Sequence, residues 1–173
     1  MVGSELLTLG SYEGVLQACL TAVKQQGHKA LGIELAQLAA LRVEERWGKG
    51  PANRVYSIRP SRSGQRYRGF SLPLMIEQAV LARTGWPALE ESLIGHFPDS
   101  KTSSQGLNLE QRLERQHRPL APPSAQLGQG KGPLLILDDV VTTGATLGAA
   151  VITARELGFE PVNCCALAVA FQG

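Results

Sequence analysis

The chain has no CxxC spacing, no G-x-x-x-x-G-K-S/T loop, no internal repeat and no apolar run near the roughly 20 residues of a membrane helix. These absences exclude whole classes. Without paired cysteines a zinc site is not expected. Cys19 stands alone, and Cys164 and Cys165 are adjacent in an expected strand, where neighbours point to opposite faces and cannot easily pair. All three read as small buried apolar residues. The N-terminus lacks a basic stretch followed by an apolar one, so the expected location is the cytoplasm, with no membrane segment. A formal net charge of +2 argues neither for nor against nucleic acid. What is present, 43% hydrophobic and 18% charged residues over 173 positions, suits a single folded domain spanning 1–173.

The most informative stretch is Leu134 to Leu147, LLILDDVVTTGATL. Leu134 to Leu137 form an unbroken apolar run, the pattern of a strand buried on both faces of a parallel sheet. Two acids, Asp138 and Asp139, follow. A short polar loop, Thr142-Thr143-Gly144, then leads into an Ala-rich helix expected over 145–157. The first N–H groups of a helix lack intrahelical partners and carry the positive end of its dipole, so this loop suits a dianionic phosphate. Thr142, Thr143 and Thr146 add hydroxyl donors, and Gly144 permits close backbone approach. Asp138 and Asp139 would accept hydrogen bonds from a diol or hold a cation. A ligand with a phosphate at one end and vicinal hydroxyls one sugar ring away, such as a ribose 5-phosphate, satisfies both halves.

An apolar run ending in acids also matches the Mg2+-holding strand of a nucleotide triphosphatase. That reading needs a phosphate loop, and Gly128-Gln129-Gly130-Lys131-Gly132 has the wrong spacing and leads into a strand. A lone Asp at a strand end needs no explanation beyond the chain surfacing. The whole pattern asks for more.

The same residues resemble the phosphoribosyl pyrophosphate (PRPP) signature of type I phosphoribosyltransferases: four apolar, two acidic and two apolar residues, then Thr-Thr-Gly-x-Thr. The resemblance implies an α/β fold with a central, mainly parallel sheet flanked by helices, a small hood and a flexible loop. It also implies ribose contacts from Asp138 and Asp139, and a 5-phosphate wrapped by Thr142, Thr143, Gly144, Ala145 and Thr146. Mg2+ would arrive on PRPP, with Asp138 or Asp139 as its candidate protein ligand. The loop after an earlier strand, here Arg59, Pro60 and Ser61, would meet the pyrophosphate.

Elsewhere the chain reads as scaffold with two exceptions. Leu6–Leu9 is an expected strand, 12–26 and 29–47 are expected helices within an N-terminal helical or hood region over 1–50, and 54–58 is a strand. Ser71–Thr84 is a helix with Pro73 in its first turn. Leu93-Ile94 is a short strand, and His96 at its end reads as structural. A charged helix is expected over 107–118, an exposed Pro- and Gly-rich linker over 119–133, and a last strand over 161–170. The first exception is the arginine cluster Arg62, Arg66 and Arg68 with Tyr67 and Phe70, either a solvated loop or an anion site, since guanidinium forks match phosphate. The second is 98–106, rich in turn formers, which reads as a mobile lid carrying Lys101.

Separate features resemble the ComF branch, a competence-associated group of phosphoribosyltransferase-like proteins. They are Tyr12, Gly14 and Leu16, then Lys24 and Gly27, then Arg68-Gly69-Phe70, Thr102 to Gln105, Leu107 and Arg112. The chain departs from the branch in lacking its cysteine zinc ribbon, in Ser71-Leu72 where Asn-Gln is usual, in Ile58-Arg59-Pro60 before the arginine cluster, and in Arg115. Two functions stand as expectations. One is Mg2+-dependent transfer of the phosphoribosyl group to an unidentified nitrogen acceptor, with release of pyrophosphate and Asp138, Asp139 and Lys101 in the catalytic roles. The other is a binding module for PRPP, nucleotide or single-stranded DNA that serves DNA uptake through a competence-machinery partner. Neither fixes the oligomeric state, and a homodimer is compatible with both.

Overall fold

The computed structural model describes residues 4–48, 53–58, 69–89 and 132–170. Its elements in chain order are β1 (Leu6–Ser11), α1 (Gly14–Gln26), α2 (Lys29–Trp47), β2 (Arg54–Ser57), α3 (Leu72–Thr84), β3 (Gly132–Val141), α4 (Ala145–Glu156) and β4 (Phe159–Val169). Arg59 to Ser61, Arg62, Arg66, Tyr67, Arg68, Leu93-Ile94, His96, the lid with Lys101, the helix over 107–118 and most of the linker lie outside the described residues.

The architecture is α/β. The four strands form an all-parallel sheet in the order β1-β4-β3-β2, flanked by helices. Among the described residues no helix is long and apolar enough to cross a membrane. The apolar run supplies the centre of the sheet. Leu134, Leu135, Ile136 and Leu137 are all 2% exposed or less, and β3 pairs with β2 on one side and β4 on the other. Strands buried on both faces read as continuous apolar runs because each face needs its own cover.

The cover is unequal. Leu135 and Leu137 pack with Leu20 and Val23 of α1, Ala36, Ala39 and Val43 of α2, and Ile76 and Val80 of α3. Leu134 and Ile136 pack on the other face with Leu147, Ala150 and Ala154 of α4. Small residues let α2 approach α3, and a Cβ added at Gly32 would come 3.3 Å from Met75 Cε. An ion pair from Arg83 to Glu44 joins the same two helices. Because the next described helix after β2, α3, covers one face and the helix after β3, α4, the other, the carboxyl ends of these neighbouring strands flank a topological switch point. Open parallel sheets bind ligands at such points.

Three expectations need correction. The linker does not reach Pro133, because β3 already begins at Gly132. Pro133 sits one residue before the β2 ladder starts at the Arg54/Leu134 pair, in the first residues of a strand, where proline is tolerated. Residues 6–47 contribute an edge strand and two sheet-packed helices to the central layers, with β1 hydrogen-bonded to β4. Finally, β4 starts at Phe159. Three steps from Phe159 to Val162 oppose two from Gly132 to Leu134, and Pro161 occupies that irregularity.

Candidate functional site

The apolar run marks the centre of β3 but neither of its ends, Gly132 and Val141. The strand continues through both acids to Val141, held by the pairs Asp138/Ala166, Val140/Ala168 and Val141/Val169. Two of its amides are also met locally. Asp139 N–H donates to Asp138 Oδ1 at 2.8 Å, and Val140 N–H donates to Asp139 Oδ1 at 2.8 Å.

Strand alternation therefore governs the acids. Leu134 and Ile136 face α4, and Leu135 and Leu137 face α1 to α3, so Asp138 belongs to the α4 side and Asp139 to the other. Their contacts agree. Asp138 lines a concavity with Val140 to Leu147 that encloses about 220 Å³, open solvent included. Asp139 turns to α1, where its Oδ2 lies 2.9 Å from Lys24 Nζ. Past the acids the phase reverses: Val140 joins the α1 to α3 side and Val141 the α4 side. Opposite them in β4, Leu167 and Ala168 both face the α1 to α3 side. The sequence reading had both carboxylates serving one site mouth. The structure separates them because they lie within the strand and not beyond it.

The floor of the concavity is the N-terminus of α4. Gly144 is its N-cap, at φ 72° and ψ 1°, and makes no side-chain cap. Its carbonyl accepts the first helical bond, from Gly148 N–H at 2.7 Å. Among the described residues, only a long contact, Ala145 N–H to Thr143 Oγ1 at 3.4 Å, touches the first turn from a side chain. A Cβ at Gly144 would have room, its nearest neighbour being Val141 Cγ1 at 3.9 Å, so it is the positive φ that favours glycine here. Thr142, Thr143 and Thr146 are exposed around this turn. The helix thus presents its first-turn amides and the positive end of its dipole to the same space that Asp138 lines.

Asp138 is electrostatically unusual. Burial, reinforced by the neighbouring Asp139 charge, pushes its carboxyl up to about 7, against the opposing pull of the Asp139 N–H and of Lys24. Among the described residues the one hydrogen bond to this carboxylate comes from the Asp139 amide. Donors from a ligand would favour its charged form.

The structure therefore brings Asp138, Thr142, Thr143, Gly144, Ala145 and Thr146 together and leaves Asp139 outside the group. Among the described residues no cluster of three acidic, His or Cys groups could hold a metal. One carboxylate at the cradle does fit an Mg2+ bound chiefly through ligand phosphates and water, the usual manner of that ion.

Two polar contacts escaped the sequence reading. Lys24 enters the sequence pattern only through the branch resemblance. A usable signal existed, since it follows the fully buried Leu20 by one helical turn and so shares its face. The second is a buried pair at the carboxyl end of β2, where Ser57 Oγ donates to Glu77 Oε2 at 2.7 Å. Glu77 lies in an apolar stretch, and no pattern marked it.

No family model and no curated protein matches this chain.

Proposed function

We propose that the cradle binds a ribose 5-phosphate group, and that the chain is a type I phosphoribosyltransferase-like protein acting on PRPP. The observation that carries this reading is the shared concavity, in which a helix N-terminus without a side-chain cap, flanked by three threonines, faces the same space as one carboxylate that burial makes hold its proton more tightly. The amides after Gly144 hold the phosphate, and Asp138 accepts hydrogen bonds from the sugar hydroxyls. In transfer, the bond from the anomeric carbon to the pyrophosphate oxygen breaks and a bond to the acceptor nitrogen forms. The pyrophosphate leaves with the electron pair, and the acceptor's proton passes to solvent. Asp138 stabilises positive charge developing on the ring, and positioning supplies the rest. Bound Mg2+ would neutralise leaving-group charge. Arg59 to Ser61 and Lys101 are assigned to the leaving group on the sequence resemblance alone.

The separation of Asp139 from Asp138 favours a second reading, in which the fold binds PRPP or a nucleotide without turnover. Calorimetric titration of PRPP with Mg2+ into the wild type and Asp138→Asn tests the shared claim. Micromolar binding that the variant loses supports it, on the usual affinity scale. No heat from the wild type refutes it. Pyrophosphate release in the presence of nucleobases then separates enzyme from binding module.

A further inference from the structure

Lys24 and Asp139 form a contact that the proposed chemistry does not use. The pair joins the last turn of α1 to the centre of the sheet, with side chains 27% and 19% exposed. Asp139 is fully engaged: Oδ1 accepts from Val140 N–H, and Oδ2 meets the ammonium. For Asp139 to reach the cradle it would have to leave Lys24 and cross to the α4 face of β3.

We infer that Lys24 is a positioning residue: by neutralising Asp139, which the strand already directs to the α1 side of the sheet, it lets the two adjacent acids take separate tasks, Asp138 contacting the ligand and Asp139 anchoring α1. The inference rests on the ribose 5-phosphate reading for its binding half only. The physical reason is charge. Two neighbouring carboxylates repel each other and any phosphate brought near them, and the ammonium neutralises the one that the ligand does not need. Without Lys24, Asp139 becomes an uncompensated negative charge beside the cradle.

Two measurements on the full chain test this. In thermal unfolding without ligand, Lys24→Met and Asp139→Asn should each lower the Tm by about 2–4 °C, and the double variant should fall no further than the worse single one. Strictly additive losses would refute the anchoring pair. In calorimetric titration with ribose 5-phosphate, Lys24→Met should weaken binding about tenfold, an effect of roughly 1.4 kcal/mol. Lys24→Arg should preserve affinity. Lys24→Met/Asp139→Asn should recover to within about threefold of wild type, because it removes the stray charge along with its partner. Failure of the double variant to recover would mean that Lys24 touches the ligand itself. A loss in Asp139→Asn as large as in Asp138→Asn would put both acids on the ligand. Either result overturns the division of tasks. If the wild type gives no heat with ribose 5-phosphate, the reading of the cradle falls and the binding half with it, while the unfolding cycle still decides the anchoring half.

Discussion

Asp138 and Asp139 have the same side chain and adjacent places in β3, yet one lines an open concavity at the start of α4 and the other is tied to a lysine of α1. The difference follows from the two faces of the sheet. Among the described residues three helices cover the Asp139 face, and their packing supplies a cation to meet a carboxylate there. Among the described residues a single helix covers the Asp138 face, and it begins beside the acid, with no side-chain cap at its first turn. The thick face stabilises, and the thin face leaves room for a ligand.

The largest effect should come from the scaffold common to both acids. Leu137→Ala removes a fully buried side chain from the thick face just before Asp138 and should cost about 2–5 kcal/mol in urea unfolding. A loss below about 1 kcal/mol would mean that the thick face does not carry the fold.

Asp138→Asn comes next, and its effect has a definite sign. The carboxyl titrates near 3.8 when unfolded and at about 7 when folded, so the folded state binds the proton more tightly. Its contribution to stability is favourable below about pH 4 and is lost as pH rises to about 7. The variant should therefore gain on the wild type across that window and be more stable at pH 8 by at least ~1 kcal/mol, while binding ribose 5-phosphate at least tenfold more weakly. A difference in stability that does not change with pH would contradict the assigned environment.

Gly144→Ala forces a side chain into the left-handed region at the thin-face helix and should cost about 1–2 kcal/mol, read from the urea midpoint. The smallest effect is expected from Arg42→Ala. Its pair with Glu45 is half exposed on both sides, and its loss should shift the Tm by less than about 2 °C, against the larger shift from Lys24→Met.

Much of the fold was legible in the chain. The apolar run gave the central strand, Gly48 the end of α2, and Ser71 with Pro73 the start of α3, where Ser71 Oγ accepts from Leu74 N–H. These signals are local, so no tertiary knowledge was needed. The rule that separates Asp138 from Asp139 was also available. Applied to Cys164 and Cys165, it correctly sends them to opposite faces. For the acids it needs the end of the strand, which is set by pairing with β4 and not by hydrophobicity. Cys19, expected to be buried, is only half-buried on α1. The Lys24/Asp139 and Ser57/Glu77 contacts join distant parts of the chain and depend on how the helices seat on the sheet. Local patterns do not encode that.

The most direct test of the cradle is titration of ribose 5-phosphate into 15N-labelled protein, followed through the backbone amides. The account predicts saturable shifts concentrated at Ala145, Thr146 and Leu147, with Asp138 moving and Lys24 little changed. Shifts absent from the α4 N-terminus, or clustered instead on the α1 side around Asp139, would contradict it.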